Sequence, residues 1–221
     1  MLAFLAGIDW GDVAEAGIDT LTMLAWALGF TVLIGLPLGV ILYLTGQPRL
    51  LYAPLLHRVL SLLVNVMRSL PFIILLIVMI PLTTLITGTS LGVQGTIPPL
   101  VAGCAPFFAR LVETSLREVD HGLVEASWAM GGSTWQLIWY TLLPESRSGL
   151  IAAVTVTAIV LVDYTSMAGV IGGGGLGDLA IRFGYQRFQT DVMAVTVVLL
   201  IALVQVLQMS GDRVVRRMSR K

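Results

Sequence analysis

The 221-residue chain is 57% apolar and 12% charged, against roughly 45–50% and about 25% for a soluble domain, so the bilayer is its expected solvent. Thirteen basic and thirteen acidic residues cancel, which argues against nucleic acid as a partner. Charge-poor stretches run nearly end to end and leave no room for a separate soluble domain, so residues 1–221 read as one membrane domain.

The first twenty residues carry Asp9, Asp12, Glu15 and Asp19 but no Lys or Arg. That is not the basic leader of a cleaved signal peptide, and the first span is expected to be retained. A spanning helix needs about 20 apolar residues, and the charge-free run from Asp19 to Arg49 supplies them over 20–44. The next charge-free run, Arg68 to Arg110, is too long for one crossing. Pro81, Gly88, Gly92, Gly95, Pro98 and Pro99 divide it into spans near 61–85 and 96–116. Cys104, the single cysteine, sits in the second of these. It can form no intrachain disulfide and reads as a packing residue, and no metal site is expected. A fourth span over 149–171 ends at Gly172-Gly173-Gly174-Gly175, and a fifth occupies 192–211. The expected fold is all-α, a polytopic bundle of five spans with its termini on opposite sides of the membrane.

Lys and Arg near span ends favour the cytoplasm. With the C-terminus inside, Arg49, Arg58, Arg68, Arg110, Arg117, Arg147, Arg213, Arg216, Arg217, Arg220 and Lys221 are cytoplasmic, and only Arg182 and Arg187 lie outside. The N-terminus is then outside, and the basic tail reads as a topology anchor against membrane lipid.

The charged island 110–147 is therefore a cytoplasmic loop. Asp120 is a good N-cap for a short helix that ends at Gly131-Gly132. Ser133 and Gln136 have capping-box spacing and open a second short helix, which Pro144 is expected to break. Leu123, Val124, Ala126, Met130, Trp135 and Ile138 give this hinged pair an apolar side suited to a groove in a cytoplasmic partner. An interfacial segment lying on lipid is the plainer alternative.

Glu125-Ala126-Ser127, Gly131, Thr141 and Leu143-Pro144 resemble the EAA-x3-G-x9-I-x-LP loop of ABC importer permeases, with Ser127 for the second alanine and Thr141 for the isoleucine. The segments Arg68 to Leu76, Gly88 to Gly92, Glu125 to Gly131, Tyr164 to Met167 and Gly172 to Gly177 with Gly184-Tyr185 extend the resemblance to the methionine importer permeases. In that family the loop is a coupling helix, so the resemblance implies that Glu125, Ala126, Ser127, Gly131, Leu143 and Pro144 seat in an ATP-hydrolysing subunit. It also implies a homodimer, two ATPase subunits that hold the ATP and Mg²⁺, a periplasmic or lipid-anchored substrate-binding protein, and a bacterial inner-membrane location. An ABC permease for another amino acid or small solute shares the same loop.

The chain itself has no G-x-x-x-x-G-K-[ST] loop, and its one lysine is its last residue. It cannot cradle nucleotide, and no cofactor or enzymatic role is expected of it. Gly172, Gly174 and Gly177 have G-x-G-x-x-G spacing but follow a span rather than a strand. They read as a flexible exit from span four, near an outer gate, or as a plain terminator. Gly172, Gly173, Gly174 and Gly175, with Pro71 and Pro106, are candidate gate or hinge points for alternating access.

Asp163 is the one carboxylate inside span four, and burying it in lipid would cost at least about 2.5 kcal/mol, so it should face a cavity or a polar neighbour. Helical periodicity sets Met167 on its face and turns Tyr164 aside. Asp163, Tyr164 and Met167 are the candidate substrate path, although the resembling branch usually has glycine at the position of Asp163. The pair Asp163 and Asp178 also suggests an intramembrane aspartyl protease. Fifteen residues of continuous helix would hold them about 22 Å apart, too far to share a water.

Overall fold

The computed structural model describes residues 8–48 and 50–218. Arg49, Arg220 and Lys221, counted above as cytoplasmic, and the first seven residues lie outside the described residues. Among those described, every regular element is helical.

Helix α1 (Trp10–Gly46) is capped by Asp9, whose carboxylate accepts from the Gly11 amide at 2.8 Å. Its 37 residues measure about 55 Å, well beyond the roughly 30 Å of hydrocarbon. The stretch carrying Asp12, Glu15 and Asp19, expected to precede the first span, is part of this helix.

Leu70 is extended (ψ 129°), as a residue before proline must tend to be. There α2 (Pro54–Ser69) and α3 (Phe72–Val78) meet at 103°. The stretch expected as one span over 61–85 is thus a bent series completed by α4 (Ile80–Thr87). Gly88 ends α4 in the left-handed conformation, φ 79°. Helix α5 (Gly92–Arg117) then takes in Gly95, Pro98, Pro99 and Pro106 without a break. Membrane helices tolerate proline where neighbouring helices satisfy or cover the freed backbone. Pro99 and Pro106 are buried here, so Pro106 is no visible hinge.

Helices α1 and α5 form the central pair. A Cβ at Gly35 would stand 2.9 Å from the Ala105 carbonyl, and one at Gly39 would stand 2.6 Å from that of Ala109. Two glycines four apart thus let the backbones meet, the close packing that replaces hydrophobic force between helices in lipid.

The loop after α5 holds α6 (His121–Ala129), α7 (Thr134–Gln136), a π-helical turn (Leu137–Leu142) and α8 (Leu143–Glu145). Helix α9 (Arg147–Ala168) runs on through a 3₁₀ turn to Ile171. After the glycines come α10 (Gly175–Leu179), a second π-helical turn (Ala180–Tyr185) and α11 (Thr190–Met218). Helices α1, α5, α9 and α11 are long and apolar enough to cross a bilayer, and the bent α2–α3 pair makes a fifth crossing if it is one span.

One buried cluster joins Met23 and Ala27 of α1, Phe72 of α3, Leu100 and Cys104 of α5 and Leu161 of α9. A second, toward the other end of the central pair, joins Tyr43 and Leu44 to Phe108, Val112 and Leu116 and receives Leu137, Ile138 and Leu142.

Candidate functional site: the hinged loop, the glycine turn and the Asp163 face

The loop is built from local hydrogen bonds. The Asp120 carboxylate accepts from the Gly122 amide and starts α6. At the other end Gly132 N–H donates to the Ser127 carbonyl (3.1 Å) and Gly131 N–H to that of Trp128 (2.9 Å). That six-to-one and five-to-two pairing is a Schellman stop, and it requires Gly131 in the left-handed region, where φ is 78°. The next helix opens on the expected capping box. Gln136 N–H donates to Ser133 Oγ at 3.3 Å, and Ser133 N–H donates to Gln136 Oε1 at 2.8 Å.

Pro144 does not break the segment as expected. It stands just after the π-helical turn, in a run that stays helical from Thr134 to Glu145. The interruption falls at Ser146, whose ψ of 1° ends α8 and precedes α9.

Leu137 and Leu142 are buried against α1 and α5 and anchor the loop from within. Two residues expected on the docking side turn inward with them: Ile138 is buried and Val124 packs on the same cluster. The outward side holds Leu123, Met130 and Trp135 as expected, together with Trp128, Trp139 and Tyr140, which sequence reasoning missed. Trp135 and Trp139 meet edge to face at 5.5 Å. The π-helical turn rotates the chain so that Leu137, Ile138 and Leu142 face in while Trp139 and Tyr140 face out. A uniform 3.6-residue period does not capture that. Glu125, Ala126, Gly131 and Pro144 are exposed, and Ser127 and Leu143 are half-buried.

The expected loop 110–147 begins inside α5, where its first charges form a network. Glu113 is 1% exposed and takes Arg110 on one carboxylate oxygen and Arg117, at 2.6 Å, on the other. Arg110 also donates to Ser61 Oγ and Asn65 Oδ1 of α2, both at 3.0 Å. Glu113 was not singled out from the sequence, although its spacing of three and four from the arginines is the signal for such a network.

The Gly172–Gly175 segment, expected as a tight, flexible exit from span four, is tied to its neighbours by hydrogen bonds. Gly172, Gly174 and Gly175 all have φ near 80°, and Gly172 accepts from Gly92 N–H at 3.0 Å. Leu176 N–H donates to Thr20 Oγ1 at 2.8 Å, pinning the segment to α1. The chain reverses here, so the backbone of Gly177 lies against Ser166 and that of Asp178 against Gly169. The continuous helix that would separate Asp163 and Asp178 by about 22 Å is therefore absent. The two acids are still not a pair: Asp163 is exposed, whereas Asp178 is buried and ion-paired with Arg182.

Asp163 and Met167 share an exposed face of α9, and no side-chain partner of Asp163 occurs among the described residues. Tyr164 turns away and stacks on Phe72, with ring centroids 4.1 Å apart. The expected trio is thus split, with Tyr164 packed inward. Pro71 stands at the 103° bend.

The profile of the binding-protein-dependent transport system inner membrane component matches residues 35–221. The probable D-methionine transport system permease protein MetI of Vibrio cholerae is 48% identical over 198 residues, 90% of this chain and 87% of that protein. The D-methionine transport system permease protein MetI of Escherichia coli K12 is 47% identical over 203 residues, 92% and 94% of the two chains. A solved structure of the MetNI methionine ABC transporter in an inward-facing conformation superposes with a TM-score of 0.90 at 46% identity, covering 95% of this chain and 96% of that one. The chain belongs to the family of inner membrane components of binding-protein-dependent transport systems.

Proposed function

We propose that this chain is the permease subunit of an ATP-driven methionine importer, accepting D- and L-methionine. Two copies pair, bind two ATPase subunits and receive substrate from a periplasmic or lipid-anchored binding protein. The observation that carries the reading is the hinged loop. Leu137 and Leu142 fix it to the ends of α1 and α5, while Trp128, Met130, Trp135 and Tyr140 stand out from the membrane domain as an uncovered face. A buried apolar root with an exposed aromatic head is the form of a peg for a groove.

Energy comes from the partner, which holds ATP and Mg²⁺. Closure of the paired ATPases draws the two loops together, and each loop turns the helices on which it is rooted. The cavity between the two copies then opens outward to receive substrate and reopens inward after hydrolysis. Asp163 and Met167 face that cavity, a reading supported by their exposure on a helix otherwise rich in apolar residues.

Methionine is supported by the relatives whose names carry it and by likeness along nearly the whole chain. Uptake of labelled methionine by vesicles holding this chain with its co-purifying ATPase and binding protein tests the assignment. Unlabelled methionine should compete and other amino acids should not. Stronger competition by another amino acid would transfer the assignment to that solute.

A further inference from the structure

At the end of α1 remote from the loop lies a cavity of about 290 Å³. Asp12, Glu15 and Asp19 line it from α1, and Asp178, Arg182 and Phe183 line it from the segment after the glycine turn. We infer that this cavity seats a lysine or arginine side chain of the substrate-binding protein.

The charges are unbalanced, four carboxylates against one guanidinium. Spacings of three and four put Asp12, Glu15 and Asp19 on one helical face, where like charges repel. Asp12 in the first turn answers the positive end of the helix. Asp19 stands beyond the second turn and has no such reason. It leans over the glycine turn instead, so that a Cβ at Gly174 would be 3.3 Å from its Oδ2.

Asp178 supplies the independent sign of a missing donor. The residue is only 4% exposed, and one of its oxygens holds Arg182. Its other oxygen, Oδ1, is buried with no hydrogen-bond partner among the described residues. A buried carboxylate with one acceptor left open is costly, and a cation seated in the cavity that Asp178 lines would lower that cost through its charge.

The cation is an organic side chain. Among the described residues no three carboxylate, imidazole or thiolate groups converge to hold a metal ion, whereas a guanidinium or ammonium on a flexible stem can reach spaced carboxylates. Phe183 already carries Arg187 over its ring at 4.5 Å, so this wall accepts cations. Zwitterions fit less well. A free amino acid or an ethanolamine headgroup brings its own anion close to the ammonium, into a field set by four carboxylates.

Location names the protein that brings the side chain. Asp19 is 24 residues from Tyr43, and Tyr43 lines a cavity with His121 and Glu125 of α6. Along α1 that is about 36 Å, more than the thickness of the hydrocarbon. The acidic cavity is therefore across the membrane from the loop that meets the ATPase, on the side where a binding protein delivers substrate. The inference rests on that reading of an importer fed by a binding protein.

The test is ATP hydrolysis by the complete complex in proteoliposomes, titrated with its binding protein. In the variant carrying Asp12→Asn and Glu15→Gln, the half-saturating binding-protein concentration should rise about tenfold or more at about 50 mM salt. The wild-type value should climb with salt more steeply than that of the variant. Methionine dependence at saturating binding protein should not change. Asp178→Asn should raise half-saturation as well, and if that complex fails to assemble, the exposed pair decides. An unchanged half-saturation in an assembled double variant would overturn the inference, and so would a shift confined to methionine dependence or to vesicles containing ethanolamine lipid. Hydrolysis is read whatever the solute, so a wild-type complex that responds to its binding protein but fails to import methionine would count against the substrate assignment alone.

Discussion

Gly131 is the position where one atom decides the shape of the loop. Its φ of 78° costs an ordinary L-residue about 1–2 kcal/mol. Gly131→Ala should weaken retention of the ATPase subunit during purification and lower uptake several-fold. The variant combining Glu125→Arg with Gly131→Trp should abolish both while still inserting in the membrane. Glu113 is a second such position. Glu113→Gln leaves two arginines facing an amide, and it should lower the unfolding free energy of the solubilised complex by about 1–3 kcal/mol, read as a drop in melting temperature. Asp120, Ser133, Gln136 and the paired glycines were legible in the sequence because each acts on a backbone group only two to five residues away. Glu113 was not, because its burial depends on α5 meeting distant helices, and a charge near a helix end looks the same whether it is wet or dry.

The elements divide along the same line. Charge-free runs located the long helices, since a membrane crossing is a property of composition over a window. The bend at Pro71 was legible only as a candidate hinge. Proline forces Leu70 into an extended form, but where the following helix points is set by Phe72 and Leu76 packing on α1, α5 and α9. The glycine turn reads in the sequence as a flexible exit near a gate or as a plain terminator, and the partner that pins it, Thr20, lies more than 150 residues earlier. The notch between α1 and α5 offers a prediction at this scale. Gly39→Leu should force the helices apart, costing about 1–3 kcal/mol, and should reduce the yield of folded complex in detergent. Gly29→Ala, with nothing within 4 Å of its added carbon, should leave the yield unchanged.

For the whole molecule, the all-helical membrane architecture, with four or five candidate crossings, and the family followed from patterns along the chain. The faces that a second copy would cover did not, because a single sequence does not say which apolar surface meets lipid and which meets protein. Asp163 is exposed on one such face of the single chain. Asp163→Asn should lower methionine uptake several-fold without loss of assembly if its charge lines the path, and unchanged uptake would remove that charge from the mechanism.

In the proposed importer the glycine notch would also set how movement crosses the bilayer. Two helices that meet backbone to backbone at Gly35 and Gly39 resist sliding past each other, so in the proposed importer α1 and α5 would act as one stiff arm. The span from Asp19 to Tyr43 gives that arm a length of about 36 Å. A tilt of about 10° imposed at the ATPase end would sweep the far end through roughly 6 Å, about the width of an amino-acid side chain. In the proposed importer, a small stroke at the ATPase would thus become an aperture of the right size, without any helix having to melt.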